Sequence, residues 1–399
     1  ELVIPSTVRE VLRGAFARFT NLKTLRIPKT VTTIETPMMI TSQHLDWNVD
    51  SIIVEKGNPV YDSRENCNAI IHTQSNELIA GCKNTTIPSS IEGIGPVAFY
   101  RISNLKKVDI PDNVKRIGAL AFCKSGMESV TIGSGVKRIP LRCFEDCDKL
   151  TDVVFSEGLD SIDALAFFFC ESLKSVHIPR STTYIAKYNS GITLSKEDSL
   201  KLAYLDKFST PDNHDAFLTC TGMTSFTVEE GNPVYDSRNG CNAIIETSIN
   251  QLIQGCATTI IPESVTSIEA YAFAKCESLD SIYVKATTPP ILAGNVFENS
   301  PATICYVPCS TLKEYETSEW AKYVGKLLEK DCQKCGDYLY WEVVDNQLII
   351  TGTGDMYHFD TIPQPWEKMR YQIQQISMPE GMDPDDVINK YGVDAFNEI

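Results

Sequence analysis

The sequence predicts a right-handed α/β repeat solenoid whose coils are about 23 residues long. Phenylalanine recurs at a nearly constant spacing, and a short apolar strand pattern lies at a fixed position relative to each of these phenylalanines. A chain of 399 residues is also too long for one compact core. Together these observations favour a stack of repeats.

The phenylalanines that define the repeat are 23, 22 and 23 residues apart: Phe99, Phe122, Phe144 and Phe167. The strand pattern is L-x-x-V-x-I, as in Leu105–Ile110. Since strand side chains alternate between two faces, its apolar residues point to one side. One coil cannot bury them alone, so neighbouring coils must stack. We predict parallel strands near 107–110, 129–132, 152–155 and 175–178, with the phenylalanines buried in one layer.

The rest of each coil carries a Pro after the strand and an Ala-Phe pair on the return path. Proline lacks an N–H and ends the strand. We expect a short helical turn around Ala-Phe.

A duplicated segment interrupts the repeats. Residues 57–82 and 231–256 are 174 residues apart and identical at 19 of 26 positions. Asn239-Gly240 favours a tight turn, so each copy is predicted to be a β-hairpin spliced between coils. Turns at Gln74-Ser75 and at Ser248-Ile249 would place two cysteine pairs opposite each other, either as disulfides or as buried thiols. The pairs are Cys67 with Cys82, and Cys241 with Cys256.

The predicted organisation has three parts. Residues 1–286 form the solenoid with its two hairpin insertions, although 29–50 and 180–222 fit the repeat poorly. Residues 287–330 form a terminal repeat and a capping helix that starts at Ser310 and runs through Trp320 to Leu328, with Tyr315, Trp320 and Tyr323 covering the solenoid end. Residues 331–399 form a small β-rich module that runs into a further, truncated repeat.

Charge and motifs exclude several functions. The net charge is −16, which disfavours nucleic acid and an electrostatic membrane anchor. No apolar stretch is long enough to insert directly into a membrane. The five histidines lie in no recognisable Ser, Cys or metal motif.

Three short motifs each lack a feature that a binding site of their type requires. Gly352-Thr-Gly354 lacks the third glycine and helix of a phosphate loop. Asp383-Pro-Asp385-Asp386 lacks the spacing of a calcium loop. Cys332-Gln-Lys-Cys335 has no second pair of zinc ligands. We predict no enzyme activity, no cofactor and no metal.

The chain resembles the BspA-like leucine-rich repeat family of bacterial cell-surface proteins. The resemblance rests on I-P-x-x-V-x-x-I-x-x-x-A-F-x-x-C at 261–276, the Asn-Pro-Val-Tyr-Asp-Ser hairpins, the Thr-Pro-Pro unit and the Cys-Gly…Trp…Gly-Thr-Gly-Asp-Met-Tyr stretch. It implies an extracellular or cell-surface location and adhesion to host or matrix proteins. Catalytic residues are not implied.

The candidate ligand-binding surface is the outward side of the strands. Its residues are Lys107, Asp109, Ser129, Thr131, Asp152, Ser175 and His177. We expect a monomeric, non-catalytic protein that binds protein or glycan. The alternative is a structural spacer that projects another domain from the cell surface, which the truncated second array favours.

Overall fold

The computed structural model describes residues 1–16, 19, 21–36, 38, 48–187, 215–302, 304–330, 332–344, 346–357, 366 and 372–377. The chain forms two compact units. Unit 1 comprises the described residues of 1–259, 267–279 and 293–301. Unit 2 comprises 260–266, 280–292 and the described residues from 302 onward.

Unit 1 is built on a face of parallel strands, most of them four residues long. Alternate side chains along these strands are buried, as in Lys107–Ile110, where Val108 and Ile110 enter the core. The four predicted strands are present at the predicted residues. The strands of this face are Leu2–Val3, Thr24–Ile27, Ser51–Val54, Lys107–Ile110, Ser129–Ile132, Asp152–Phe155, Ser175–Ile178 and Ser225–Val228.

Parallel pairing joins these strands in three sets, Leu2–Val3 to Ser51–Val54, Lys107–Ile110 to Asp152–Phe155, and Ser175–Ile178 with Ser225–Val228, so the ladder predicted between 152–155 and 175–178 is not among them. Lys107 faces Ser129, and Ser129 faces Asp152. Ser175–Ile178 pairs in the same way with Ser225–Val228, although 46 residues, 179–224, separate the two strands. The chain closes this gap with a backbone hydrogen bond of 3.0 Å from the Ala216 N–H to the Ala186 carbonyl. The described residues on the two sides of the longer connection are therefore hydrogen-bonded to each other.

The predicted phenylalanine layer is confirmed. Phe99, Phe122, Phe144 and Phe167 are all at most 1 % exposed. Their ring centroids are 4.9, 5.4 and 5.1 Å apart in sequence order, and the rings are nearly parallel. Phe217 extends the stack beyond Phe167 at 5.3 Å. The repeat spacing therefore places one ring directly on the next.

A second ladder of two-residue parallel strands follows on the return path of the coils. In most of the unit 1 strands the second residue is a buried isoleucine, as in Arg116–Ile117, which pairs with Gly93–Ile94. These short strands are Glu10–Val11, Thr33–Ile34, Gly93–Ile94, Arg116–Ile117, Arg138–Ile139, Ser161–Ile162, Tyr184–Ile185 and Ser267–Ile268.

The return path is not helical, so the expected helical turn around Ala-Phe, and with it the α/β description, is not supported. Cys123 N–H bonds to Leu120 O at 3.1 Å, and Ser125 N–H bonds to Phe122 O at 3.1 Å, which forms successive tight turns. Leu120 and Lys124 have φ of 58°, a left-handed conformation that interrupts a helix. The Phe122 N–H bonds instead to Cys143 O of the next coil at 2.9 Å. Backbone N–H groups here are therefore hydrogen-bonded to the next coil and not within a helix.

Both duplicated segments contain an antiparallel hairpin. In the first copy Ile70–His72 pairs with Glu77–Ala80, and in the second Ile244–Glu246 pairs with Gln251–Gln254. Tyr61–Asp62 and Tyr235–Asp236 add a strand to each, and short 3₁₀ helices span Arg64–Asn66 and Arg238–Gly240.

The predicted hairpin register holds beside the turn and then shifts. His72 faces Glu77 and Ile71 faces Leu78, as the predicted turn requires. A bulge follows, and Ile70 faces Ala80. Cys67 and Cys82 are buried free thiols, as are Cys241 and Cys256. Of the two alternatives for these pairs, the structure has buried thiols.

Unit 2 has a parallel sheet of its own. The strands Ile260–Ile261, Ser281–Val284, Ile304–Val307 and Lys326–Glu329 lie side by side. Ile291–Leu292 is a short strand. The single long helix expected from Ser310 to Leu328 is wrong. Two short helices, Leu312–Glu316 and Trp320–Tyr323, are followed by the Lys326–Glu329 strand.

Two of the three aromatic residues expected to cap the repeats are buried within unit 2. The Tyr315 hydroxyl donates to Ala286 O at 2.6 Å, and Trp320 Nε1 donates to Pro290 O at 2.9 Å. Tyr323 is 37 % exposed and does not share this role. A disulfide joins Cys309 to Cys332.

After Cys335 the chain forms an antiparallel pair of strands, Leu339–Val344 with Gln347–Gly352, and Gln375–Ser377 joins the latter in parallel. Trp341 and Ile350 contribute to its buried cluster. The further repeat expected near the C-terminus beyond Ser377, the 383–386 acidic run, and residues 37, 39–47 and 188–214 of the two poorly fitting parts lie outside the described residues.

Candidate functional site

The predicted ligand-binding residues lie together on the outward side of the unit 1 strands. Lys107, Ser129 and Asp152 face one another across adjacent strands, and Asp109 faces Thr131. The strand alternation that buries the valines and isoleucines forces these polar side chains outward. The charged members of the set are exposed, and Ser129 and Thr131 are half-buried. The structure therefore brings these five predicted residues into one surface.

The charges on this surface largely satisfy one another. The Lys107 ammonium is 3.0 Å from the Asp109 carboxylate on the same strand. Exposed ion pairs contribute little to stability, about 0–1 kcal/mol, so the pair is easily exchanged for a ligand group. Asp152 accepts a hydrogen bond of 2.6 Å from the Thr151 hydroxyl. The surface offers mainly polar contacts, with Val154, 56 % exposed and opposite Thr131, as an apolar member.

Ser175 and His177 lie on the strand that pairs with Ser225–Val228. The His177 ring contacts the Thr227 hydroxyl and the Glu229 carboxylate, each at 2.9 Å. Arg180 lies 3.7 Å from the same carboxylate. Thr227 and Glu229 therefore belong with His177 in one exposed polar cluster.

Unit 2 has a second outward surface, which the sequence analysis predicted only in part. Ile260 faces Tyr283, Tyr283 faces Tyr306, and Tyr306 faces Leu328. We call these four residues the tyrosine column. The two tyrosine rings stack at 4.8 Å with an angle of 13° between their planes. The Lys330 ammonium lies 4.4 Å from the Tyr283 ring centroid.

The signal that would have revealed the column is the repeat pattern itself. Ile304-Cys-Tyr-Val307 is a strand with the same alternation as Ser281–Val284, so Tyr306 must point to the same side as Tyr283. The sequence predicts a helix that ends at Leu328, and a helix does not indicate the outward position that Leu328 has on the Lys326–Glu329 strand.

The cysteines offer no reactive thiol. Burial raises the pKa of the Cys147 thiol to about 12 and that of Cys335 to about 12. Cys332 is bonded to Cys309, so the Cys332-Gln-Lys-Cys335 motif is not a dithiol. Within the described ranges no cluster of three or more His, Cys, Asp or Glu side chains could hold a metal ion.

Three buried ionisable groups lie in the turns of the return path. Arg142 and Glu145 form an ion pair of 2.9 Å, and both are at most 5 % exposed. Burial raises the pKa of Asp215 from 3.8 to about 7. The Phe217 N–H donates a hydrogen bond of 2.8 Å to the carboxylate, which acts in the opposite direction and lowers this pKa. Solvent does not reach these groups, so their role is in the packing of the coils.

The coil geometry agrees with one repeat family. A model of the BspA type leucine-rich repeat region matches six copies over residues 1–81, 77–189 and 252–323. The chain belongs to the BspA type leucine-rich repeat family. The resemblance drawn from the repeat motif is thereby confirmed.

The cysteine that ends the BspA type motif has a structural role in unit 1. The Cys147 thiol donates to Phe122 O at 3.2 Å, and Cys170 donates to Phe144 O at 3.1 Å. Each thiol thus bonds to the phenylalanine carbonyl of the preceding coil.

Solved structures of other repeat proteins are similar to this BspA type chain. A leucine-rich cell surface protein from Faecalibacterium prausnitzii is 18% identical, with a TM-score of 0.42, over 81% of this chain and 83% of that one. A leucine-rich repeat protein from Bacteroides ovatus is 19% identical, with a TM-score of 0.41, over 82% and 68%.

A leucine-rich repeat protein from Eubacterium ventriosum is 20% identical, with a TM-score of 0.43, and the match covers 75% of this chain and 64% of that protein. A search of curated proteins finds no match. Over the part of the chain that the structure describes, no helix is both long and apolar enough to span a membrane.

Proposed function

We propose that this BspA type protein is a non-catalytic, adhesin-like binder of protein or glycan, acting at the cell surface or as a secreted protein. The observation that carries the proposal is the polar outward strand face of unit 1. Its side chains are aligned by parallel pairing, and Lys107, Asp109 and Asp152 are exposed. A rigid ladder of this kind orders its side chains before a ligand arrives, which reduces the entropic cost of binding.

The rest of the molecule supports a binding role over a chemical one. The thiols are buried, so none of them is accessible as a nucleophile, and the exposed His177 ring bonds to the Thr227 hydroxyl and the Glu229 carboxylate. An extracellular location is supported by the Cys309–Cys332 disulfide, because disulfides persist in oxidising compartments. We further propose that the protein acts as a monomer.

A binding screen tests this function. The full chain is titrated against immobilised glycans, fibronectin-like matrix proteins and mucin. The proposal expects saturable binding to at least one of them. A structural spacer, the second candidate, would bind none saturably, and that result would overturn the adhesin-like role.

A further inference from the structure

The outward face of unit 2 differs in chemistry from the polar face of unit 1. Its central line is the tyrosine column, Ile260, Tyr283, Tyr306 and Leu328, with Ile304 beside Tyr306 on the same strand. Ile260 is 39 % exposed, and the other four side chains are partly exposed. Apolar and aromatic groups thus run without interruption across four strands.

The border of this column is basic. Lys326 lies on the same face and is aligned with Ile304, while Lys285 and Lys330 directly follow their strands. All three lysines are exposed, and none forms an ion pair with any carboxylate among the described residues. The outward side chains of these four strands include no Asp or Glu. The exposed Asp280 directly precedes Ser281–Val284, so with the three lysines the border has a net positive charge in a chain of net charge −16.

We propose that the tyrosine column binds a short acidic segment of a partner protein, one that carries apolar side chains between its carboxylates. The proposal rests on the protein's being a binder, but it concerns a surface separate from the predicted Lys107–His177 face. An apolar, tyrosine-rich centre with a charged border is the usual composition of an energetically productive protein interface.

Ring orientation favours a protein segment over a sugar. A sugar ring binds an aromatic side chain by lying on its face, but the Tyr283 and Tyr306 rings stack on each other at 4.8 Å. The Lys330 ammonium additionally lies 4.4 Å from the Tyr283 ring centroid. The rings therefore present their edges and hydroxyls, which suit apolar side chains and backbone polar groups of a peptide.

The dimensions of the column indicate a short segment. Four parallel strands span about 15 Å at roughly 4.8 Å per strand. An extended chain covers this distance with about four or five residues, at about 3.4 Å each. Three lysines along the border match two or three carboxylates in such a segment.

A random peptide library displayed on phage tests the proposal. The probe is a pool of 12-residue peptides selected on the full chain. We expect the retained peptides to be enriched in Asp and Glu next to apolar residues, and their Kd to rise with salt because the lysines supply attraction. Selection of neutral or basic peptides, or of none, would overturn the proposal.

Variants assign the binding to the column. Tyr283→Ser with Tyr306→Ser, and separately Lys285→Glu with Lys326→Glu and Lys330→Glu, should each weaken a selected peptide by about tenfold or more. Tyr283→Phe with Tyr306→Phe should retain most of the affinity because the ring stack remains. Circular dichroism checks that each variant is folded.

The matched control lies in the same unit. Tyr323 is an exposed tyrosine and Lys313 and Lys322 are exposed lysines, all on the two short helices. Tyr323→Ser with Lys313→Glu and Lys322→Glu should leave the peptide's Kd unchanged. Equal loss in this control would overturn the assignment to the column. If no peptide is selected and the column variants weaken binding of heparin, the ligand of the column is an anionic glycan and the proposal of a protein segment is overturned.

Discussion

The phenylalanine stack makes a quantitative prediction about how stability is distributed in unit 1. Phe144 is completely buried and contacts a ring on each side, Phe122 at 5.4 Å and Phe167 at 5.1 Å. Replacing a buried Phe by Ala costs about 3–5 kcal/mol, which includes both the lost burial and the cavity. We therefore expect Phe144→Ala to lower the free energy of unfolding by about 4 kcal/mol.

The pairwise part of this loss can be separated with double-mutant cycles. Phe122 and Phe144 touch, so their coupling energy should be about 0.5–1.5 kcal/mol. Phe99 and Phe167 are separated by two intervening rings and should be additive within about 0.5 kcal/mol. This pattern is what nearest-neighbour stacking in a repeat array requires.

The assay is urea unfolding followed by circular dichroism, with hydrogen exchange to locate the destabilised coils. Phe19→Ala is the control because Phe19 is 48 % exposed, and its cost should stay below about 1 kcal/mol. If Phe144→Ala cost no more than this control, or if the distant pair coupled as strongly as the adjacent pair, the stacking account would be wrong.

Three further predictions concern single groups. Gly81→Ala should lower Tm and reduce the free energy of unfolding by about 1–3 kcal/mol, because a Cβ there would overlap the Phe99 ring. The control Gly294→Ala has open space around it and should be near neutral, so equal Tm changes in the two variants would contradict the packing. The raised pKa of Asp215, about 7, means that the fold holds a proton that the unfolded chain releases near pH 4. Wild-type stability should therefore fall as pH rises from about 4 to 7, by at most about 4 kcal/mol, and Asp215→Asn should flatten this dependence in urea unfolding at each pH. Iodoacetamide at pH 8 should leave the 12 buried free thiols, Cys147 among them, unlabelled in the native chain; intact mass checks this, and labelling without denaturant would refute it.

The repeat was predictable because its cause is local and periodic. A strand with Val108 and Ile110 on one side can bury them only against its neighbours, so the strand bounds and the phenylalanine layer follow from spacing. The return path was less predictable. Leu120 and Lys124 adopt left-handed conformations that neither side chain favours by itself. Hydrogen bonds between coils impose those conformations, and no single repeat contains that information.

The two other differences have similar causes. A hairpin turn fixes the register beside it, but the bulge between Ile70 and Ile71 depends on how the hairpin joins the coils. The sequence of Lys326–Glu329 alone predicts helix. The segment is a strand because it pairs with Ile304–Val307. That error hid part of the tyrosine column, whereas the polar face of unit 1 was predictable because its strands were assigned correctly.

The most direct test of the proposed function uses a ligand found in the binding screen and a variant of the polar face. Lys107, Asp109, Asp152 and His177 are replaced together by Ala, and the control replaces four exposed residues outside that strand face, namely Glu92, Lys115, Asp160 and Tyr184. Both proteins should melt like the wild type, since exposed polar side chains contribute little to stability. We predict that the first variant weakens the ligand at least about tenfold and the control leaves its Kd unchanged. Unchanged affinity in the first variant would contradict the assignment of the binding surface to this face.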